Sequence, residues 1–240
     1  MLRELLSIFK TSNPLQAMGQ NFAQMLMLAY KMTAEAGEIY FGMKASPEAR
    51  TAIYEHDVRV NKLQRTIRKQ VVAHLSIPGN RPDVPYSLLL VSLVKDVERI
   101  GDYAKNLSEI IDIRDGSLPR GEILNELKEI RRGVEAAFQV AADVFSSSNQ
   151  ERAIQLIQQS RDIAHRCDSL ITRIGRSSYA AGQTTALVLG TRFYKRIGGH
   201  VLNVLSSVVM PLHKVDYFDE EEIPRSGPSG IARSSGQRLE

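Results

Sequence analysis

Three carboxylates in one short stretch of a predicted helix are the strongest chemical signal in the chain. Glu98 and Asp102 are four residues apart, so on a helix both side chains leave the same face, one turn apart. Asp96 falls instead on the apolar face of that helix, where an ionised carboxylate is costly unless a cation, an arginine or a metal compensates it. For Asp96 we favour an ion pair with an arginine of a neighbouring helix.

The sequence contains no recognisable catalytic pattern. No Ser or Cys nucleophile has a base at a plausible spacing, no glycine-rich loop could cradle a phosphate, and no His-Glu-x-x-His motif occurs. A ferritin-like di-iron oxidase also places carboxylates inside a helical bundle, but it needs Glu-x-x-His pairs on two helices, and this sequence has none. We therefore predict that the protein is not an enzyme.

The composition is that of an ordinary soluble globular protein. Of its 240 residues, 43% are apolar and 24% are charged, and the net charge of +4 is too small and diffuse to indicate nucleic-acid binding. Cys167 is the only cysteine, which rules out an internal disulfide and fits a reducing compartment. No run of about eighteen apolar residues is present to span a membrane, and the N-terminus lacks a secretory signal. We expect a cytoplasmic location.

Helical periodicity runs through almost the whole chain. Asn13-Pro14 and Ser46-Pro47 each combine an N-cap residue with a proline at the first helical position, which is typical of a helix start. Links rich in Pro, Gly or Ser separate the long apolar repeats, and no stretch alternates as a strand would. Because short links join long amphipathic helices, we predict an all-α fold of antiparallel bundles. The predicted helices span residues 14–41, 47–75, 86–113, 122–145, 150–174 and 184–212.

The second half of the chain repeats the first. Arg99-Ile100-Gly101 in the third helix matches Arg196-Ile197-Gly198 in the sixth, and Asn106 matches Asn203 in the same register. A duplicated three-helix unit is the simplest explanation, so we predict two tandem antiparallel three-helix bundles. The tail has too few large apolar residues to fold on its own. The predicted units are residues 1–116 (with a short extra helix at about 1–11), residues 117–218, and a disordered tail at 219–240.

These features resemble the PhoU family of phosphate-uptake regulators. The string Glu98-Arg99-Ile100-Gly101-Asp102 inside a long helix, followed by Asn106, is a fairly specific signature, and the duplicated plan covers residues 13–212. The resemblance implies a homodimer that adjusts phosphate uptake, and indirectly transcription, by contact with a phosphate transporter and a sensor kinase. Any membrane association would then pass through the transporter. The resemblance also implies metal binding at acidic motifs, with iron or zinc in some members.

The resemblance places the candidate metal ligands in the first unit. The family's acidic pair on the third helix maps onto Glu98 and Asp102, and the pair on the second helix maps onto Asp57 and Asn61, where an amide replaces the second acid. An amide coordinates through its carbonyl oxygen but brings no charge. This all-oxygen set suits a hard or borderline cation such as iron, manganese or magnesium.

The matching positions of the second unit have lost most of their acids. Lys195 and Gly199 stand where the third-helix pair is expected, and Ala164 and Asp168 stand where the second-helix pair is expected. A site with one carboxylate and a lysine should not hold a multivalent cation. We therefore expect any metal to bind in the first unit only.

Other interpretations of the acidic cluster and of the function stay open. Without a metal, the acids would pair with Arg59, Arg99 and Lys95 as a solvated polar face. The protein could instead be a metal-binding helical protein that stores or buffers iron or zinc. It could also be a helical adaptor for another transporter, because the fold alone does not fix the function.

The remaining conspicuous residues are predicted to be structural. His56 and His74 lie on a core stripe of the second helix, with His56 a further candidate for the acidic site, while His200 and Cys167 are assigned to packing. We interpret a basic stripe on the second helix as a solvated face, or else as a docking surface for an acidic partner, and a methionine-rich face as core. These two sets are Arg59, Lys62, Arg65, Arg68 and Lys69, and Met18, Met25, Met27, Met32 and Met43.

Overall fold

Six long α-helices dominate the part of the chain that the structure describes. The computed structural model describes residues 13–42, 46–114 and 116–217. A 3₁₀ turn precedes the third helix, another follows it, and a third follows the sixth helix; they span Arg81–Asp83, Ile110–Asp112 and Leu212–Tyr217. No residue within those described ranges lies in a β-strand. The helices are α1 (Pro14–Tyr40), α2 (Pro47–Leu75), α3 (Val84–Glu109), α4 (Glu122–Ser147), α5 (Gln150–Gly175) and α6 (Ala181–Ser206).

The two predicted N-caps, Asn13 and Ser46, are confirmed by their hydrogen bonds, whereas the third and sixth helices begin at Val84 and Ala181, slightly before the predicted residues. The Asn13 side-chain oxygen accepts a hydrogen bond from the backbone N–H of Gln16, and the Ser46 hydroxyl accepts one from Ala49. The predicted end of the sixth helix, near Leu212, is wrong. α6 ends at Ser206, and a turn joins it to Pro211, which cannot donate a helical hydrogen bond.

The helices form two groups of three that are joined side by side. α1, α2 and α3 pack on one another, and so do α4, α5 and α6. The groups meet where α3 packs against α6 and α1 packs against α4. The predicted all-α fold of two tandem three-helix bundles is therefore confirmed.

Three finer expectations concern the division of the chain and its two ends. The division of the chain at residues 116 and 117 stays a prediction. The short helix at about 1–11 and the tail at 219–240 lie outside the described residues. None of the helices that the structure describes combines the length and apolar character that a membrane span needs.

The core is built from the predicted apolar faces. Met18, Met25 and Met32 of α1 are fully buried, as the methionine-rich face predicted. The same prediction is wrong for Met27, which is 59% exposed because it lies two residues from Met25, on the opposite side of the helix. Met43 lies outside the described residues.

A buried arginine links the two bundles. Arg131 on α4 donates hydrogen bonds to Glu135 one turn later, at 2.7 Å, and to Glu38 on α1, at 2.6 Å. Its guanidinium lies 5.4 Å from the centre of the Phe41 ring. A Cβ at Gly37 would lie 2.7 Å from Nε of Arg131, so this glycine gives the guanidinium its space. A buried guanidinium is tolerated only where carboxylates and other acceptors replace its water, as they do here.

A second contact brings α1 and α6 together almost without a gap. The Tyr40 hydroxyl donates a hydrogen bond to the backbone oxygen of Ala186, at 3.0 Å. A Cβ at Gly190 would collide with the Tyr40 ring, so only a glycine allows this approach. Burial raises the pKa of Tyr40 well above its ordinary value, so the hydroxyl keeps its proton and remains a donor.

The buried ion pairs of Arg131 predict that its loss lowers the free energy of unfolding far more than the loss of its neighbour Arg132. Arg131→Ala should lower the free energy of unfolding by about 3 kcal/mol, because it leaves Glu135 and Glu38 without their cation. Arg132→Ala is the matched control, since Arg132 is exposed and its ion-pair partner among the described residues is the exposed Glu129, and it should change stability by about 0.5 kcal/mol or less. Urea unfolding of both variants measures the difference, and equal losses would contradict the assignment.

Candidate functional site

The four predicted metal ligands lie together between α2 and α3. Asp57 and Asn61 are one turn apart on α2, and the Asn61 amide donates a hydrogen bond to Oδ2 of Asp57 at 3.3 Å. Glu98 and Asp102 are one turn apart on α3, facing them. We call this group of four the acidic cluster. The pairing of α2 with α3 that the family resemblance implies therefore brings these four side chains together, and their role as metal ligands stays a prediction.

A lysine that the sequence did not single out as a partner lies inside the acidic cluster. The Lys105 ammonium is 3.0 Å from Oδ2 of Asp57 and 3.3 Å from Oδ1 of Asp102, so it bridges the two helices. Arg99 makes the outer contacts, at 3.2 Å from Asp102 and 3.8 Å from Glu98.

The proposed solvated face is therefore only partly correct. Of the three cations expected to pair with the acids, Arg99 does so. Arg59 and Lys95 are exposed, and neither pairs with these acids among the residues that the structure describes. The internal cation is Lys105, whose long side chain reaches from α3 to a carboxylate on α2.

The acidic cluster keeps an excess of negative charge. Burial raises the pKa of Glu98, and the neighbouring Asp102 carboxylate raises it further. Oδ1 of Asp57 is buried and has no hydrogen-bond partner among the described residues. Three carboxylates therefore face one internal ammonium and one outer guanidinium.

The arrangement only partly suits the metal ion that the family resemblance implies. The donors are all oxygens, and the unpartnered Oδ1 of Asp57 offers one free ligand position. The Lys105 ammonium, however, holds the position between Asp57 and Asp102 that a cation would take. Within the described ranges, no group of three or more His, Cys, Asp or Glu side chains has the geometry of a metal site. A metal bound here would have to displace the ammonium.

Asp96 has a different partner from the one expected. Its Oδ1 is 2.7 Å from Nδ1 of His200 and accepts a hydrogen bond from the Asn203 amide at 2.8 Å, both on α6. The Tyr103 ring stacks on His200 from the α3 side. The predicted arginine partner is therefore wrong, because the neighbour of α3 at this height is α6, which presents a histidine and an amide.

The equivalent region of the second bundle carries the opposite charge. Lys195, which stands at the position of Glu98, pairs with both oxygens of Asp168 at 2.5 and 2.6 Å. Around this pair, α5 and α6 leave a cleft of about 580 Å³, which we call the basic cleft. Its charged and titratable walls come from Arg161, His165, Asp168, Arg192, Lys195 and Arg196.

The other histidines and the cysteine mostly follow the prediction. His74 is buried and its Nε2 lies 2.8 Å from Asp83, which ties the end of α2 to the following turn. His56 faces Glu35 on α1, at 3.6 Å, and makes no described contact with the acidic cluster. Cys167 is fully buried, and burial raises the pKa of its thiol to about 12, as fits a packing residue. The predicted basic stripe on α2 is exposed along its whole length.

The geometry defines a helical protein of two joined three-helix bundles, with an acidic cluster in the first and a basic cleft in the second. Residues 22–111 match the model of the PhoU domain family. This stretch runs from the middle of α1 to the end of α3 and includes the whole acidic cluster. The predicted resemblance to the PhoU family is thereby confirmed.

Curated relatives carry the same family name. The chain is 25% identical over 173 residues to a protein of Pseudomonas aeruginosa named "Phosphate-specific transport system accessory protein PhoU homolog", with 68% of this chain and 70% of that protein covered. It is 22% identical over 167 residues to a protein of the same name from Clostridium acetobutylicum, with 65% and 74% covered.

Solved structures agree on the fold. The crystal structure of PhoU from Pseudomonas aeruginosa superposes with a TM-score of 0.74 at 21% identity, covering 83% of this chain and 97% of that one. The phosphate transport system regulatory protein PhoU from Streptococcus pneumoniae gives a TM-score of 0.71 at 16% identity, covering 84% and 94%. At these identities the match concerns the fold alone.

The position of Lys105 predicts a pH-dependent loss of stability when its charge is removed. Lys105→Met should lower the free energy of unfolding at pH 7 by about 2 kcal/mol, since Asp57 is left buried without a cation. The loss should shrink as the pH is lowered, because protonation of Glu98, whose pKa is raised, reduces the negative charge of the cluster. Urea unfolding from pH 7 to pH 4 measures this dependence.

Lys95→Met is the matched control for Lys105→Met. It removes the same charge from the exposed side of α3 and should change stability by about 0.5 kcal/mol or less. A loss at Lys105 no larger than that at Lys95, or a loss that does not change with pH, would contradict the role of Lys105 as the internal cation.

Proposed function

We propose that the protein regulates inorganic phosphate uptake by binding other proteins, without catalysing a reaction. Its partners would be a phosphate transporter and a sensor kinase. The main observation behind the proposal is the match of the acidic-cluster bundle to the PhoU domain, together with relatives named as phosphate-specific transport accessory proteins. A regulator of this kind needs a rigid surface rather than a reactive centre, and the two joined bundles provide one.

The polar groups of the chain fit a binding protein better than an enzyme. The buried Cys167 thiol has a raised pKa, which makes it a poor nucleophile. His74 and His200 are each held by a carboxylate within a structural contact rather than beside a reactive hydroxyl. The acidic cluster is internally salt-bridged. These features support a non-enzymatic role.

The homodimer implied by the family resemblance also stays a proposal. Three large apolar side chains are exposed on α2, namely Tyr54, Val58 and Val72, at 43%, 63% and 64%. Val58 and Val72 follow Tyr54 by four and eighteen residues, which places all three on one side of the helix. These apolar side chains share that side of the helix with the basic residues Lys62, Arg65 and Lys69, and such a mixed surface is compatible with contact with another protein.

Deletion of the gene tests the regulatory role. We expect the deletion to change the rate of phosphate uptake and the expression of phosphate-responsive genes, because the transporter and the kinase would lose their regulator. Complementation with the intact gene should restore both. If both stay unchanged while iron or zinc tolerance shifts, the proposal fails and storage or buffering of metal becomes the better interpretation. If neither phosphate regulation nor metal tolerance changes, the role of an adaptor for another transporter becomes the better interpretation.

Metal binding at Asp57, Asn61, Glu98 and Asp102 stays a prediction that can be measured directly. The support for it is the all-oxygen donor set and the unpartnered oxygen of Asp57, and the objection is the Lys105 ammonium. If a metal binds, Glu98→Ala combined with Asp102→Ala should remove it from the purified protein, because two of its three charged ligands are lost. Elemental analysis after reconstitution with iron, zinc, manganese or magnesium provides the measurement.

Asp168→Ala is the control for the metal measurement. It removes a carboxylate that is already paired with Lys195, so the metal content should not change. If the double alanine variant retains as much metal as the unaltered protein, the site assignment is wrong. If no metal is ever bound, the cluster is a salt-bridged structural element instead.

A further inference from the structure

The basic cleft of the second bundle lies where the family resemblance would place a second acidic site. The cleft has a volume of about 580 Å³ and is formed by α5 on one side and α6 on the other. Nothing in the regulatory role proposed above accounts for it. The cations of this cleft call for an explanation because like charges are seldom gathered in one concavity without a counter-charge.

The cations converge on the cleft because of helical spacing. Arg192, Lys195 and Arg196 are at positions i, i+3 and i+4 of α6, so they leave one face of the helix. On α5, Arg161 and His165 are also four residues apart and line the opposite wall. The two walls therefore direct cationic groups into a common space.

Two of the arginines that line the cleft have no counter-charge among the described residues. Among its lining residues, four cations face one carboxylate, Asp168, which is already paired with Lys195 at 2.5 Å. Arg192 and Arg196 have no ion pair or hydrogen bond among the described residues. Guanidinium groups present several donors in a planar fork that matches the oxygens of a phosphate.

A glycine stands in the wall of the cleft where the first bundle carries a carboxylate. Gly199 stands at the position of Asp102 in the repeat, and a Cβ built on it would meet no heavy atom within 4 Å. A carboxylate could therefore fit there without a clash, but the chain has none. In the first bundle the same helix positions carry two acids, so the two bundles have opposite charge on one scaffold.

We propose that the basic cleft binds a phosphate group, either as inorganic phosphate or as a phosphate monoester. This inference rests on the proposed function, since it assigns a ligand to a protein of phosphate uptake. Convergent arginines in a concave site suit a compact tetrahedral anion better than an acidic peptide, which needs an extended basic surface. His200, which also lines the cleft, is bonded to Asp96 on α3. A bound phosphate would therefore lie beside the contact between the two bundles.

Titration calorimetry of the full-length protein with inorganic phosphate tests the proposal. A second titration with a phosphate monoester, glycerol 3-phosphate, separates the two sources of the phosphate group, and sodium sulfate measures binding that depends on charge alone. Arg192→Gln combined with Arg196→Gln should weaken binding by about tenfold or more, because two charge-assisted contacts are lost. Gly199→Asp should weaken it as much, by placing a carboxylate in a space where it fits.

The matched control is Arg65→Gln combined with Arg68→Gln. It removes the same charge from the exposed face of α2, so it should leave phosphate affinity within about twofold of the original. Circular dichroism of each variant verifies that the helices are intact. Equal losses in the control and in the cleft variant would show non-specific attraction and overturn the proposal.

Three other outcomes would also overturn the assignment. These are no binding of either phosphate compound, sulfate binding as tight as phosphate, and binding of a poly-glutamate peptide in the cleft in place of phosphate. The test is separate from that of the proposed function. If gene deletion alters phosphate uptake while the protein binds no phosphate, the regulatory role stands and the ligand assignment fails. If phosphate binds but deletion has no effect on uptake, the regulatory role fails and the ligand assignment stands.

Discussion

The burial of the Arg131 guanidinium between α1 and α4 is the constraint on which the arrangement of the two bundles depends. A charge in that position needs its acceptors within hydrogen-bond distance, and Glu135 and Glu38 supply them from two different helices. Because one acceptor belongs to each bundle, the bundles have one favoured orientation. That orientation in turn brings α3 against α6, where Asp96 meets His200. The contact between Asp96 and His200, which lies near both the acidic cluster and the basic cleft, thus depends on the buried ion pairs of Arg131.

The duplicated scaffold holds two regions of opposite electrostatic character. In the first bundle, acids dominate and one lysine, Lys105, lies among them. In the second, cations dominate and one carboxylate, Asp168, lies among them. Each region therefore holds opposite charges that lower the mutual repulsion without cancelling the excess, with Arg99 at the outer side of the acidic cluster as a second cation. Duplication allows this divergence because the helices, and not the charged residues, carry the apolar core.

Much of the fold could be predicted from the sequence, since it depends on local rules. The caps at Asn13 and Ser46 and the helical apolar periodicity are short-range features, and they fixed the number and order of the helices. The meeting of α2 and α3 at the acidic cluster followed from the family resemblance. The histidine partner of Asp96 could not be predicted, because it depends on how α3 crosses α6. Lys105 was missed because a flexible side chain can reach several carboxylates, and spacing alone does not choose among them.

The basic cleft shows the same limit of sequence reasoning in another way. Lys195 and Gly199 were read from the sequence as losses of acidic ligands, which was correct for each position. These positions also lie in a cleft lined by several arginines. This could not be predicted without knowing which face of α5 packs opposite α6. Patterns on one helix were predictable from the sequence, whereas contacts between two helices were predicted only where the family resemblance supplied them.

The close approach of Tyr40 to Gly190 has a consequence for the history of the chain. Two copies of a three-helix unit that once were alike are now fitted to each other at a point where only the smallest side chain is tolerated. The first copy supplies the bulky ring and the second supplies the gap, so neither can now be exchanged for the other. The two halves are therefore complementary at this contact. A substitution at Tyr40 or at Gly190 would disturb the packing of both halves.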